Sequence, residues 1–187
     1  MRKLKKRMAD FLLQRYKQRK TRSSVHTSEH ALSVVRHMLQ KAKYGFLITR
    51  GESDRCSARL VEPIIDQQND FVLWLGTNPS LRKVQEIKKN PSATMAIEDP
   101  KEQANLILYG LASIVIDPAL RRKYWRSHWK LFFPSGPESP EFLLIRFEAQ
   151  RIELMSFRRN VIPEPFGLKP LVLIKHSQGW EIEKSYS

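Results

Sequence analysis

The sequence predicts a mainly β domain. The expected form is a small closed barrel of six or more antiparallel strands, with two to three short α-helices plugging its ends. Three observations lead there. Beyond residue 44 the hydrophobic spacing changes from helical to alternating. At least six apolar runs of strand length follow, separated by turn residues such as Gly, Pro, Asn and Asp. Only two short helical stretches interrupt those runs, too few for the crossovers of a doubly wound parallel sheet. Closing an antiparallel sheet into a barrel also removes its exposed edges.

The chain of 187 residues suits one domain plus a tail. Residues 1–25 are read as a basic N-terminal tail or amphipathic helix, and residues 26–187 as the domain. The formal net charge is +14, and +9 of it falls within residues 1–22. The body is therefore only mildly basic, which disfavours a nucleic-acid-binding face on it. The lone Cys56 allows no disulfide within the chain and no paired-cysteine metal site, so a reducing compartment is expected. No apolar run reaches the length of a membrane span. The cytoplasm is the expected location, with an Arg-rich organelle-targeting segment left open.

Taken in order, Leu4, Met8, Phe11, Leu12 and Tyr16 mark a first helix surrounded by Lys and Arg. Such a segment fits contact with an anionic membrane or nucleic acid, and equally a solvated tail or a helix packed on the body. From Thr27 to about Lys41, Ala31, Leu32, Val34, Val35, Met38 and Leu39 describe an amphipathic helix that Thr27 or Ser28 can cap. His26, His30 and His37 lie near one face and read as surface histidines, because no ligand set accompanies them.

Strands are predicted at Tyr44–Arg50, Cys56–Ile65 and Phe71–Thr77, paired as hairpins through Gly51-Glu52-Ser53-Asp54 and through residues 66–70. Asn78 as N-cap and Pro79 as first residue predict a short helix with the apolar stripe Leu81, Val84 and Ile87, ended by Asn90-Pro91. Strands follow at Ser92–Glu98 and Ala104–Ile116. Asp117-Pro118 opens a second capped helix carrying Leu120, Tyr124, Trp125, His128, Trp129 and Phe132. Phe142–Phe157 reads as one long strand or two short ones, and Pro170–Lys184 as a last hairpin turning at Ser177-Gln178-Gly179.

The chemistry is concentrated in residues 75–91. There a strand ends at the hydroxyl of Thr77 and a helix begins with free backbone amides. Arg82 and Lys83 fall in its first turn, where cations oppose the helix dipole. A bound phosphate relieves that conflict by accepting from the amides and neutralising the cations. Arg59, in a neighbouring strand, is placed to reach the same anion, since a basic residue there needs a partner. The same residues also read as ordinary surface cations, with Arg59 meeting a carboxylate.

This stretch resembles the flavin-phosphate segment of the pyridoxamine-phosphate-oxidase-like split-barrel superfamily, through Thr77, Arg82, Lys83, Val84, Asn90 and Pro91. Ala58-Arg59 followed by Glu62-Pro63 resembles the family's preceding strand. Tyr109-Gly-Leu-Ala112, Asp117, Trp125, Trp129, Phe132-Phe-Pro-Ser-Gly-Pro137 and Pro140 are similar to its general-stress-protein branch. The likeness covers roughly residues 30–156 and implies a split β-barrel. It implies an FMN-binding homodimer with flavin sites at the subunit interface, in which Arg59, Thr77 and Lys83 hold the phosphate. Arg82 and Ser80 are further candidates. The backbone of Val61, Glu62 and Pro63 would run along the isoalloxazine, and Trp129 of the partner would cover it or else serve ordinary packing.

The resemblance implies a flavin-dependent oxidoreductase, with a nicotinamide nucleotide as candidate electron donor. Leu81 stands where the family often has Ser or Thr, and Leu154-Met155 follows Glu153 where the stress-protein branch has aromatics. Arg158-Arg159-Asn160 does not match the closing run of authentic pyridoxamine phosphate oxidases, which argues against the vitamin B6 reaction. The alternative is a non-enzymatic flavin- or haem-binding stress protein, recruited to an anionic surface by its basic tail.

Overall fold

The computed structural model describes residues 2–25, 27–51 and 55–183, with side chains from Lys6 onward. His26, residues 52–54 of the first expected turn, and Lys184 lie outside the described residues. Nine strands form one antiparallel sheet: β1 (Gly45–Arg50), β2 (Cys56–Val61), β3 (Ile64–Ile65), β4 (Val72–Thr77), β5 (Ser92–Asp99), β6 (Ala104–Val115), β7 (Leu143–Ser156), β8 (Leu171–His176) and β9 (Gly179–Ile182). The main path runs β2-β1-β5-β6-β7-β4-β3.

The run from Cys56 to Ile65 is two strands rather than one. Pro63 has no N–H to give a ladder, so pairing breaks there. β2 pairs with β1, Gly45 opposite Val61, while β3 pairs with β4, Ile64 opposite Trp74. Only Glu62 and Pro63 separate the two ends of the path, and this short link closes the sheet into a split barrel. The stretch from Phe142 is one strand, β7, bent by a bulge. Tyr109 faces Arg151 but Gly110 faces Ala149, which leaves Gln150 unpaired. Gly110 is required there, because a Cβ would lie 2.0 Å from the Glu148 carbonyl oxygen. Beyond the bulge β7 pairs with β8, and β8 with β9, so the C-terminal stretch widens the sheet.

β4 separates two cores. Leu73 and Leu75 face the barrel interior with Leu47, Met95, Leu106, Leu108 and Phe147. Val72 and Trp74 face outward into a second cluster with Tyr124, Trp129, Phe133, Phe142 and Leu144. Helix α2 (Ser28–Lys41) closes the first core with Ala31, Val34, Val35, Met38 and Leu39. Its N-cap is Thr27, whose hydroxyl accepts from the His30 amide.

Helix α4 (Pro118–Lys123) is shorter than expected, although Asp117 caps it as predicted, accepting from the Leu120 amide at 2.8 Å. The chain continues as 3-10 turns at Ser127–Leu131 and Gly136–Glu138. Tyr124, Trp125, Trp129 and Phe133 would spread over about half the circumference of a straight α-helix. All four pack on the second cluster, so the backbone winds tighter to bring them there.

Helix α1 (Arg2–Ser23) is fastened by its end. Lys20 Nζ donates to the Phe157 carbonyl at 2.7 Å. The Ser24 hydroxyl donates to the Ile162 carbonyl and accepts from the Ile162 amide. Two of the three predicted histidines are engaged nearby: His30 Nε2 donates to the Arg159 carbonyl, and Arg159 Nη2 donates to His37 Nε2.

Candidate functional site

Alternation in the first hairpin assembles one polar group. Thr49 faces Ser57 and Leu47 faces Arg59 across β1 and β2, so Thr49, Ser57 and Arg59 share a face. Helix α3 (Arg82–Lys89) packs over it with Val84 and Ile87, and sets the Glu86 carboxylate, 5% exposed, among the three. Glu86 Oε2 accepts from Thr49 Oγ1 at 2.5 Å and Arg59 Nη2 at 2.7 Å, while Oε1 accepts from Ser57 Oγ at 3.0 Å. Arg82 Nε lies 3.2 Å from Oε1. Burial raises the Glu86 pKa, but these donors outweigh it and hold the group below its ordinary value. Arg59 therefore meets a carboxylate, as one sequence reading allowed. Glu86 itself was missed. Its only sequence signal is an acidic residue lying between Val84 and Ile87 on the helix.

Thr77 and Lys83 contrast with this. The Thr77 hydroxyl is buried and has no hydrogen-bond partner among the described residues. Lys83 has no hydrogen bond or ion pair among the described residues. Its pKa is lowered, first by burial and then by the charge of Arg59. The helix also starts later than predicted. Leu81, not Asn78, occupies the N-cap and offers no side-chain acceptor to the first turn. Asn78 instead accepts from the Ser80 amide and from Ser80 Oγ at 2.6 Å, a local turn that competes with capping. The Thr77 hydroxyl, the Lys83 ammonium, which feels the charge of Arg59, and an uncapped helix start thus lie within seven residues of one another in sequence, without an acceptor among the described residues. That donor set suits a phosphate.

Of the remaining predicted residues, Val61 ends β2, Glu62 and Pro63 form the β2–β3 link, and Trp129 lies in the first 3-10 turn. Val61 and Pro63 are buried. Glu62 accepts from His128 Nε2 at 2.7 Å and from the Trp129 indole at 2.9 Å. Those hydrogen bonds lower its pKa against the opposing effect of burial. Trp129 is 6% exposed within its own chain, edge-on to Trp125 and tilted against Phe142. Its ring lies so close to β4 that a Cβ on Gly76 would sit 2.6 Å from it. This is the packing role that the sequence left as the alternative. It also accounts for the glycine preceding Thr77.

A cleft of about 940 Å³ opens between β2 and α3, lined by Arg50, Arg55, Cys56, Arg82, Glu86 and Lys89 among others. Of the predicted residues only Arg82 reaches it. A larger cleft of about 1710 Å³ involves Tyr16, Lys20, His30, Lys41, Arg158 and Arg159 and none of the predicted site.

The comparisons with known proteins agree with this architecture. A protein related to general stress protein 26 from Clostridium acetobutylicum superposes with a TM-score of 0.64 at 22% identity, over 76% of this chain and 93% of that one. General stress protein 26 from Bacillus anthracis gives 0.60 at 25% identity, over 67% and 94%. A pyridoxamine 5'-phosphate oxidase-related, FMN-binding protein from Nostoc punctiforme gives 0.60 at 17% identity, over 81% and 94%, a likeness of fold alone. No curated protein matches the sequence. The family model described as pyridoxamine 5'-phosphate oxidase like matches residues 30–158, the span that holds most of α2, the barrel from β1 to β7 and residues 77–83, and the chain belongs to that family.

Proposed function

We propose that the protein binds FMN by its phosphate and acts as a flavin-dependent oxidoreductase on a substrate other than pyridoxamine phosphate. The observation that carries this reading is the buried Thr77 hydroxyl, which finds no partner among the described residues, followed six residues on by Lys83, which finds none there either. Thr77, Lys83 and the start of α3 would hold the phosphate. Arg59 and Arg82, already paired with Glu86, would add positive potential rather than a free charge. Bound flavin supplies hydride and electron transfer, so the chain needs no acid–base dyad of its own. Its part is to bind, orient and shield the cofactor.

A homodimer with flavin sites between subunits belongs to the same proposal. Phe46 and Leu60, paired across β1 and β2, are 51% and 58% exposed, and Tyr109 and Leu111 are exposed on β6. An apolar patch on an outer barrel face suits a second copy. In such a dimer one chain presents only half of the ring-binding surface.

The test is a fluorescence titration with FMN and with riboflavin, on the wild type and on Lys83→Ala, followed by addition of NADPH or NADH. FMN should bind, and Lys83→Ala should weaken it at least tenfold, about 1.4 kcal/mol. Riboflavin, which has no phosphate, should be indifferent to the change. Reduction by the nicotinamide nucleotide supports an enzyme, and binding without reduction supports a flavin carrier. A wild type that ignores FMN overturns the reading.

A further inference from the structure

We propose that α1 seats the protein on a bilayer of anionic phospholipid, lying in the plane of the membrane surface. This inference stands apart from the flavin reading. Residues 1–22 carry +9 of the net +14. Met8, Phe11, Leu12 and Tyr16 follow i, i+3, i+4 and i+8 spacing along the helix, with Leu13 beside them. All five are exposed: 59%, 55%, 59%, 49% and 65% in the order Met8, Phe11, Leu12, Tyr16, Leu13.

The barrel does not cover Met8, Phe11, Leu12 or Leu13. Its hold on the segment begins at Tyr16, which touches the edge of Phe166. Lys17 lies over the same ring, and Lys20, Ser23 and Ser24 bond to Phe157, Asn160 and Ile162. Among the described residues, no hydrogen bond, ion pair or ring contact joins residues 6–15 to the barrel. The helix is about 33 Å long, so more than half its length projects from this clamp.

Charge and apolarity together select the partner. A nucleic-acid backbone rewards the cations but gives no return for five exposed apolar side chains. A neutral apolar surface rewards the side chains but not the charge. An anionic bilayer rewards both: phosphate headgroups attract Lys and Arg, and the apolar residues enter the acyl boundary. Arg15 and Arg19, on the apolar side, can lay their stems along that boundary and keep their charges at the headgroups. No described helix is long and apolar enough to cross a membrane, so the segment lies on the bilayer rather than through it.

The experiment is co-sedimentation of the full chain with vesicles of phosphatidylcholine alone, or mixed with phosphatidylglycerol. The Phe11→Ser/Leu12→Ser/Leu13→Ser variant and a DNA duplex are run in parallel. These side chains make no core contact, so the variant should keep the wild-type circular dichroism and melting temperature. The wild type should bind only the mixed vesicles, more weakly as salt rises, and the variant should bind at least tenfold less. Four results overturn the proposal. One is absence of vesicle binding. Another is equal binding by the variant. A third is salt-sensitive DNA binding that the variant retains without vesicle binding, which assigns the segment to nucleic acid. The last is self-association that the variant abolishes without vesicle binding, which assigns the apolar residues to a second copy. FMN titration of the same samples reports on the barrel separately, so the two readings fail independently.

Discussion

Two buried polar groups flank β4 and are built on opposite principles. At the β3–β4 turn, the Asp66 carboxylate is 6% exposed and fully engaged. It accepts from the Gln68 amide at 2.9 Å, Trp74 Nε1 and Tyr124 Oη at 3.1 Å each, and Asn69 at 3.3 Å. Trp74 and Tyr124 stack at 4.4 Å, so one carboxylate ties the aromatic cluster to the barrel wall. At the other end of β4 and shortly beyond it, Thr77 and Lys83 are buried or half-buried with donors and no acceptor among the described residues. The difference is one of satisfaction: the first group is complete within the chain, and the second is open to the ligand proposed above. A network that satisfies itself holds the fold, while one that leaves donors open costs stability until a ligand supplies the acceptor.

Glu86 is satisfied as Asp66 is, yet its partner Arg59 also bears on Lys83, and removing Glu86 is the harshest way to probe the comparison. Glu86→Ala would strand Arg59 and orphan Thr49 and Ser57. The expected loss is about 3 kcal/mol in urea or thermal unfolding. A near-neutral result would break the division, since it would move Glu86 from scaffold to site.

Asp66→Asn tests the satisfied group. Burial alone would raise the Asp66 pKa, but the four hydrogen bonds pull it from 3.8 to about 2. A carboxyl held below its unfolded value stabilises the fold above the unfolded pKa and loses that contribution as pH falls through the folded one. The variant should therefore cost about 2 kcal/mol at neutral pH. Wild type and variant should converge as pH falls from about 4 to 2. FMN affinity should not change, which would sharpen the contrast with Thr77.

How much of this was legible in the sequence depended on how local the cause was. Helix α2 could be read because its periodicity and its Thr27 cap lie within a few residues of each other. The strands of the first hairpin could be read for the same reason. Asn78-Pro79 misled, because Asn78 bonds to Ser80 two residues on instead of capping a helix. The break of β2 from β3 was signalled by Pro63, but which strand each half would join depends on β1 and β4. Thr77 and Lys83 were found by motif. Their unpaired state was not, since it depends on which neighbours fail to arrive. Glu86 and Asp66 gather partners up to 37 and 58 residues away, Thr49 and Tyr124, and no window of sequence shows such meetings. Trp129 read first as a ring-stacking candidate. The glycine at 76 that receives it was the available signal, but its meaning needs the fold.

The gentlest test is also the most discriminating. Thr77→Val replaces a hydroxyl by a methyl of nearly the same shape, in a strand position that favours β-branched residues. If the hydroxyl is an orphan, the apo protein loses nothing and gains up to about 1 kcal/mol, because a buried unsatisfied group has been removed. If the hydroxyl serves the flavin phosphate, FMN affinity falls several-fold in the same variant while riboflavin is unaffected. Opposite signs for stability and affinity are the signature of a group kept for its ligand. Loss of both would mean that Thr77 has a structural partner, and would place it with Asp66. Gain of stability with unchanged FMN affinity would leave Lys83 and the uncapped start of α3 to hold the phosphate without it.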